Sequence, residues 1–255
     1  MKLNLCLHYV KNVTNTRITP VLMIHGLFGS MNNLNRLVHG LKYSRTILQV
    51  DVRNHGLSNH SEEMNYQVMA QDMLETLNAN SIERVIVVGH SMGGKIAMKM
   101  TAIAPERIEK IIVLDIAPVS YARQPTEIFS ALNAVTNANT NSRHQAAVIM
   151  QQYSIEKKII QFLLKSFHNG GWRFNLQVIQ NQYMEIIDWQ SISSWQNPAL
   201  FIRGECSNYV NERDYPILLK QFPHAYINMI RGSGHWLHID NSERVLSIIS
   251  RFLRW

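Results

Sequence analysis

Three short glycine-bearing segments carry the side chains able to do covalent chemistry: Gly89-His90-Ser91-Met92-Gly93, Gly232-Ser233-Gly234-His235-Trp236 and His25-Gly26-Leu27-Phe28-Gly29. A serine hydroxyl becomes a nucleophile when a neighbouring base takes its proton, so a serine in a strained turn together with a histidine elsewhere in the chain points to acyl transfer. The first segment follows the apolar run Val85-Ile86-Val87-Val88 and precedes a helical pattern. That context predicts a sharp strand-to-helix turn that lifts Ser91 out of the backbone, with small residues beside it because strand and helix approach closely. The same turn aims the Met92 N–H, at a helix start, toward the place where a tetrahedral intermediate would carry its negative oxygen. The His25-to-Gly29 turn supplies the second donor, the Leu27 N–H, with Phe28 N–H as the alternative.

The general base is expected late in the chain, because the order nucleophile, acid, base suits this arrangement. His235 sits among small residues that let its ring reach Ser91; His238, three residues on, is the competitor and is better placed against the final helix. His25, His55 and His90 read as loop structure around the turn, and the histidine spacing matches no metal-ligand template. The acid is less determined. The loop after Ala199-Leu200-Phe201-Ile202 reads Gly204-Glu205-Cys206-Ser207-Asn208-Tyr209, with Ser207 where an aspartate is expected. Asp115, at the end of the strand after the one bearing Ser91, is the first choice, Glu205 the second and Asp214 the third. Ser207 remains as an auxiliary hydrogen-bond partner for Asp115 or His235.

These residues need a scaffold, and its pattern is plain. Strands are expected at Pro20–Ile24, Thr46–Val50, Val85–Val88, Ile111–Leu114, Ala199–Ile202 and around Ala225–Ile230, each a nearly continuous apolar run suited to burial on both faces. Helical patterns fill the gaps at Val68–Leu77, with Tyr66 starting the segment, and at Lys95–Ala104, Tyr215–Phe222 and Arg244–Phe252. Such alternation predicts an α/β fold with a mostly parallel central sheet flanked by helices. The alternation breaks between about Val119 and Gln196, where the reading is mostly helical without an interposed strand. We therefore expect a core formed by 1–118 and 197–255 and a helical cap inserted at 119–196. Within the insertion Ile128, Phe129, Phe162-Leu163-Leu164, Phe167 and Trp172-Arg173-Phe174 read as core and pocket lining together, while Asp51-Val52-Arg53 and Gly56-Leu57-Ser58 read as a bracing turn beside the site.

Composition narrows the function classes. With 255 residues, 46% hydrophobic and 17% charged, the chain has apolar material for one packed core. Its +7 net charge is scattered, with Lys157-Lys158 as the one adjacent basic pair in the interior, so nucleic-acid binding is not expected. No leader-like start and no run of about 18 apolar residues is visible, which reads as a soluble cytoplasmic protein without membrane partners. Cys6 and Cys206 form no framework and are expected to be reduced.

The segments His25 to Ser30, Asp51-Val52-Arg53-Asn54-His55-Gly56-Leu57-Ser58, Gly89 to Gly94, Leu114-Asp115-Ile116-Ala117-Pro118 and Gly234-His235-Trp236 together resemble the cofactor-independent α/β-hydrolase superfamily, and within it a subgroup of bacterial esterases with mitochondrial relatives. The resemblance covers nearly the whole chain. It implies no cofactor, a small-molecule ester or acyl thioester such as acyl-CoA as substrate, Asp115 as the acid, and Ser207 as a departure shared by the subgroup. Arg123, Arg143, Lys165 and Arg173 are then candidates to meet a phosphate-bearing leaving group, and the state is monomer or homodimer. Dehalogenases and epoxide hydrolases are excluded because they place Asp where this chain has Ser91. A non-hydrolytic lyase of the same fold, resembling the member of menaquinone biosynthesis, is the competing enzyme class.

Overall fold

In a computed structural model, which describes residues 4–10, 18–122 and 127–254, the buried runs become one seven-stranded sheet. The strands are β1 (Leu7–Val10), β2 (Val21–Ile24), β3 (Ile47–Val50), β4 (Val85–His90), β5 (Ile108–Leu114), β8 (Ala199–Gly204) and β9 (Ala225–Ile230), in the spatial order β1-β3-β2-β4-β5-β8-β9. All neighbours are parallel except β1, which runs antiparallel to β3. Period-two alternation divides each strand between two cores. Val85 and Val87 of β4 point into one that also holds α2 (Tyr66–Ala79) and α3 (Met92–Ile103); Ile86 and Val88 point into the other, formed with α1 (Asn35–Leu41) and α11 (Ser242–Arg254). Helix α11 closes the second face through Val245, Ile249, Phe252 and Leu253, the spacing of a single apolar stripe.

The order reverses at one place. From β2 the chain passes outward to β3, then crosses back to lay β4 on the other side of β2, and all later strands continue in that direction. The carboxyl ends of β2 and β4 thus diverge into a crevice, where open α/β sheets bind ligands. Those ends carry His25-Gly26 and His90-Ser91.

Between β5 and β8 come α4 (Glu127–Asn137), α5 (Arg143–Met150), α6 (Lys157–Leu163), α7 (Leu176–Asn181) and α8 (Tyr183–Ile187). The expectation of no strand in this mostly helical stretch needs correction: α6 is followed by a two-stranded hairpin of β6 (Phe167–His168) and β7 (Gly171–Trp172), too short to leave a period-two signal. The hairpin and its flanks meet the turns beside the crevice. Ser166 Oγ donates to the Phe28 carbonyl at 2.7 Å, Gly56 N–H to the Arg173 carbonyl at 2.6 Å, and Asn175 N–H to the Asn54 carbonyl at 2.9 Å. The remaining helices are α9 (Tyr215–Gln221) and α10 (Leu237–Asp240). Among the described residues no helix is long and apolar enough to cross a membrane, no cluster of ligating side chains could hold a metal ion, and Cys6 and Cys206 are free thiols.

Candidate active site

Ser91 occupies the N-cap of α3, yet its dihedrals of φ 51° and ψ −117° are far from the extended geometry of a capping serine, and its side chain accepts no capping bond. A non-glycine residue in this region is strained, and the surroundings must hold it there. The glycines show how. A Cβ on Gly89 would stand 2.1 Å from the Gly93 carbonyl oxygen, and one on Gly93 2.2 Å from that of Ile24. Strand β4, helix α3 and strand β2 therefore pack backbone to backbone, and the Ser91 hydroxyl is left half-buried and uncommitted to any hydrogen bond among the described residues.

Beside it, the β2–α1 turn runs through Leu27 and Phe28, with Phe28 at φ 60°. The two candidate donors now separate. The Phe28 N–H is already given to His55 Nε2 at 3.1 Å, whereas the Leu27 and Met92 N–H groups have no acceptor among the described residues. The Phe28 N–H is thus committed within the protein, and the N–H groups of Leu27 and Met92 are not. His55 Nδ1–H donates in turn to the Arg53 carbonyl at 2.9 Å, and His25 Nδ1–H to the Gly26 carbonyl at 2.8 Å while its Nε2 accepts from Val52 N–H at 3.0 Å. Each imidazole is fixed as a neutral tautomer. Burial drives the His25 pKa down to about 4 and that of His55 to about 3. Asp51 takes the Met31 and Leu57 N–H groups at 2.7 and 2.9 Å, and Arg53 grips Asp72 through two bonds of 2.6 and 2.8 Å, so the Asp51-to-Ser58 segment is a brace as expected.

At the far side of the crevice the Asp115 carboxylate is fully buried. Its Oδ2 accepts His235 Nδ1–H at 2.8 Å and the Ser207 hydroxyl; its Oδ1 accepts the Gly204 N–H at 2.8 Å. Both carboxylate oxygens thus have donors, as a buried polar group requires. The other two acids are occupied elsewhere. Glu205 Oε2 accepts from Gly232 N–H at 2.8 Å, and Asp214 Oδ2 accepts from Asn211 N–H at 2.9 Å in the turn before α9. The His235 ring is stacked on Tyr209, with centroids 4.0 Å apart and planes 27° apart. Tyr209 is held by its backbone: its carbonyl accepts the Tyr121 hydroxyl at 2.6 Å and its N–H reaches Ser207 Oγ at 3.3 Å. His238 does not take the base's place. It is buried in α10, edge-on to His90 at 4.5 Å, and burial lowers its pKa to about 3.

Some contributors carried no local signal. Lys95, one turn into α3, is almost fully buried; its ammonium donates to the Ile187 and Asp188 carbonyls at 3.1 and 2.9 Å and lies over the Tyr66, Tyr121 and Trp189 rings. It ties the helix behind Ser91 to the carboxyl end of α8, and burial pushes its pKa down to about 7. Of the basic residues considered for a phosphate, Arg143 is used in structure, donating to the Phe167 carbonyl at 3.3 Å; Lys165 and Arg173 are exposed, and Arg123 lies outside the described residues.

The arrangement offers a hydroxyl in a strained turn, an imidazole oriented by a buried carboxylate, and two unclaimed N–H groups. Known proteins resemble the chain in sequence and in fold. The family model described as alpha/beta hydrolase fold matches residues 19–242. Esterase YbfF of Escherichia coli (strain K12) is 48% identical over 254 residues, covering 99% of both chains. The sn-1-specific diacylglycerol lipase ABHD11 of Danio rerio is 33% identical over 92% of this chain and 78% of its own. A solved marine microorganism esterase superposes with a TM-score of 0.91 at 32% identity, covering 98% of this chain and 99% of that one. By sequence and by fold, the chain belongs to the α/β-hydrolase family.

Proposed function

We propose that the protein is a serine esterase that hydrolyses short-chain acyl esters, and acyl thioesters such as acyl-CoA, through an acyl-enzyme on Ser91. The observation that carries the reading is the 2.8 Å bond between the buried Asp115 carboxylate and His235 Nδ1, at the same sheet edge as a serine hydroxyl left free in a strained turn. With Nδ1–H committed to Asp115, the His235 Nε2 lone pair takes the Ser91 proton as Oγ attacks the ester carbonyl carbon. The carbonyl oxygen gains the charge and accepts from Leu27 and Met92 N–H; the intermediate collapses when His235 returns the proton to the leaving alcohol or thiol. Water then repeats the cycle on the acyl-serine and releases the acid. No cofactor enters these steps. The relatives named as esterases and a lipase support the ester class.

The inserted segment is read as a cap over the crevice. Phe28 meets Phe129 and Phe174 at centroid distances of 5.9 and 5.1 Å, and Phe129 meets Tyr183 at 5.0 Å, an aromatic cluster that packs this segment against the oxyanion turn. A panel of p-nitrophenyl esters and acyl-CoA thioesters tests the reading. Turnover by wild type that drops to background in Ser91→Ala is expected. Folded wild type inert toward the whole panel would overturn the esterase reading and favour the non-hydrolytic lyase.

A further inference from the structure

The residue before the nucleophile has a task of its own in the geometry. His90 ends β4, is buried, and places Nε2 2.9 Å from the backbone carbonyl oxygen of His235. A carbonyl only accepts, so Nε2 carries the hydrogen and the bond runs from His90 to the base's own backbone. We propose that His90 is a positioning residue, which clamps the His235 backbone to the strand end that bears Ser91 and so sets base and nucleophile in register. The inference rests on the esterase reading for its kinetic consequence.

The clamp is separate from the carboxylate. Asp115 holds the imidazole at Nδ1, a single point about which the ring and its loop can still tilt; His90 fixes the backbone carbonyl of the same residue. Three segments of the site converge on the His90 ring. His235 lies at a centroid distance of 4.8 Å, His238 packs edge-on at 4.5 Å, and a Cβ on Gly26, next to the oxyanion donor Leu27, would stand 3.0 Å from His90 Nδ1. His238 behaves as a wall: it is buried, and neither of its ring nitrogens has a hydrogen-bond partner among the described residues. Burial and the neighbouring imidazoles hold His90 in its neutral form with a single N–H, and the His235 carbonyl places that hydrogen on Nε2. A space-filling residue would need none of this polarity at a strand end. A clamp needs a donor at this reach.

The test compares His90→Met, which keeps the bulk and removes the donor, with His90→Gln, which restores an N–H at similar reach. For His90→Met we expect kcat on a p-nitrophenyl ester to fall about 10- to 100-fold, the cost of a misplaced base, with KM within about threefold. The far-downfield proton signal of His235 Nδ1–H should broaden in the same variant, and His90→Gln should recover most of both. Unchanged kcat and signal in His90→Met, or a His90→Gln variant as impaired as His90→Met, would overturn the clamp. Wild-type protein gives an arm free of folding effects: nitrogen-15 shifts of His90 should report the neutral Nε2–H tautomer, and the Nδ1–H tautomer or an imidazolium at neutral pH would also overturn it. An inert wild type would remove the esterase reading alone, because both resonance readouts need no substrate.

Discussion

At Asp115 the two carboxylate oxygens divide their work, one toward the Gly204 backbone and the other toward His235 and Ser207. Asp115→Asn keeps the shape but presents an amide that favours the wrong imidazole tautomer, so kcat is expected to drop about 10⁴-fold in steady-state assays. Ser207→Ala removes one charge-assisted donor, worth roughly 1.5–3 kcal/mol, and should lower kcat about 10- to 100-fold with KM little changed. A Ser207→Ala enzyme at full rate would reduce the serine to packing. Not all of this was legible in the chain. Ser91 and His235 stand out because their glycine-flanked turns are local patterns, whereas the partner of His235 is 120 positions away and three acids fitted the order of the chain. Likewise, nothing near Phe28 in sequence reveals that its N–H is given to His55.

Among elements, a close backbone-to-backbone contact makes the turn. Gly93→Ala would drive a Cβ into backbone that cannot yield, so we expect loss of soluble protein or destabilisation by several kcal/mol in denaturant melts. Gly232→Ala meets open space and bears only the cost of φ 66°, about 1–2 kcal/mol. The reverse ranking would contradict the packing account. A second contact joins α6 to the loop of the base: Lys158 Nζ lies 2.5 Å from Asp240 Oδ1, Asp240 Oδ2 accepts Gly234 N–H at 3.0 Å, and Phe162 meets Trp236 at 5.2 Å. The ion pair is partly exposed and contributes at most about 1 kcal/mol, so Lys158→Met should leave the melting temperature nearly unchanged while amides of 157–163 exchange faster with deuterium. The six strands read from apolar runs all fall in the sheet. Strand β1 escaped because Leu7-His8-Tyr9-Val10 is a short, half-exposed edge, and α1 because Gly40 and His39 interrupt its stripe of Leu37, Val38 and Leu41.

Over the whole molecule, the buried imidazoles predict how stability follows pH. His25, His55 and His238 titrate in the folded state at about 4, about 3 and about 3, below the ordinary value of 6.5. As pH falls below about 6.5 the unfolded chain takes up protons that the folded protein refuses, so their contribution is complete above that pH and is lost on acidification toward the folded values. Near pH 5 unfolding should bind roughly two to three protons through these groups, a loss of about 3–4 kcal/mol per pH unit. Denaturation free energies that stay flat between pH 6.5 and 5 would contradict the neutral, buried assignment. The fold class was legible because long-range order in α/β proteins follows from alternation alone, with the topological switch placing the crevice beside Ser91. The central claim is that an acyl group passes through Ser91, and intact-protein mass spectrometry tests it most directly, on enzyme quenched during turnover of a p-nitrophenyl ester. The account predicts a mass increase of one acyl group, mapped to the peptide bearing Ser91 and absent in Ser91→Ala. Ester turnover with no adduct, or an adduct on another residue, would contradict it.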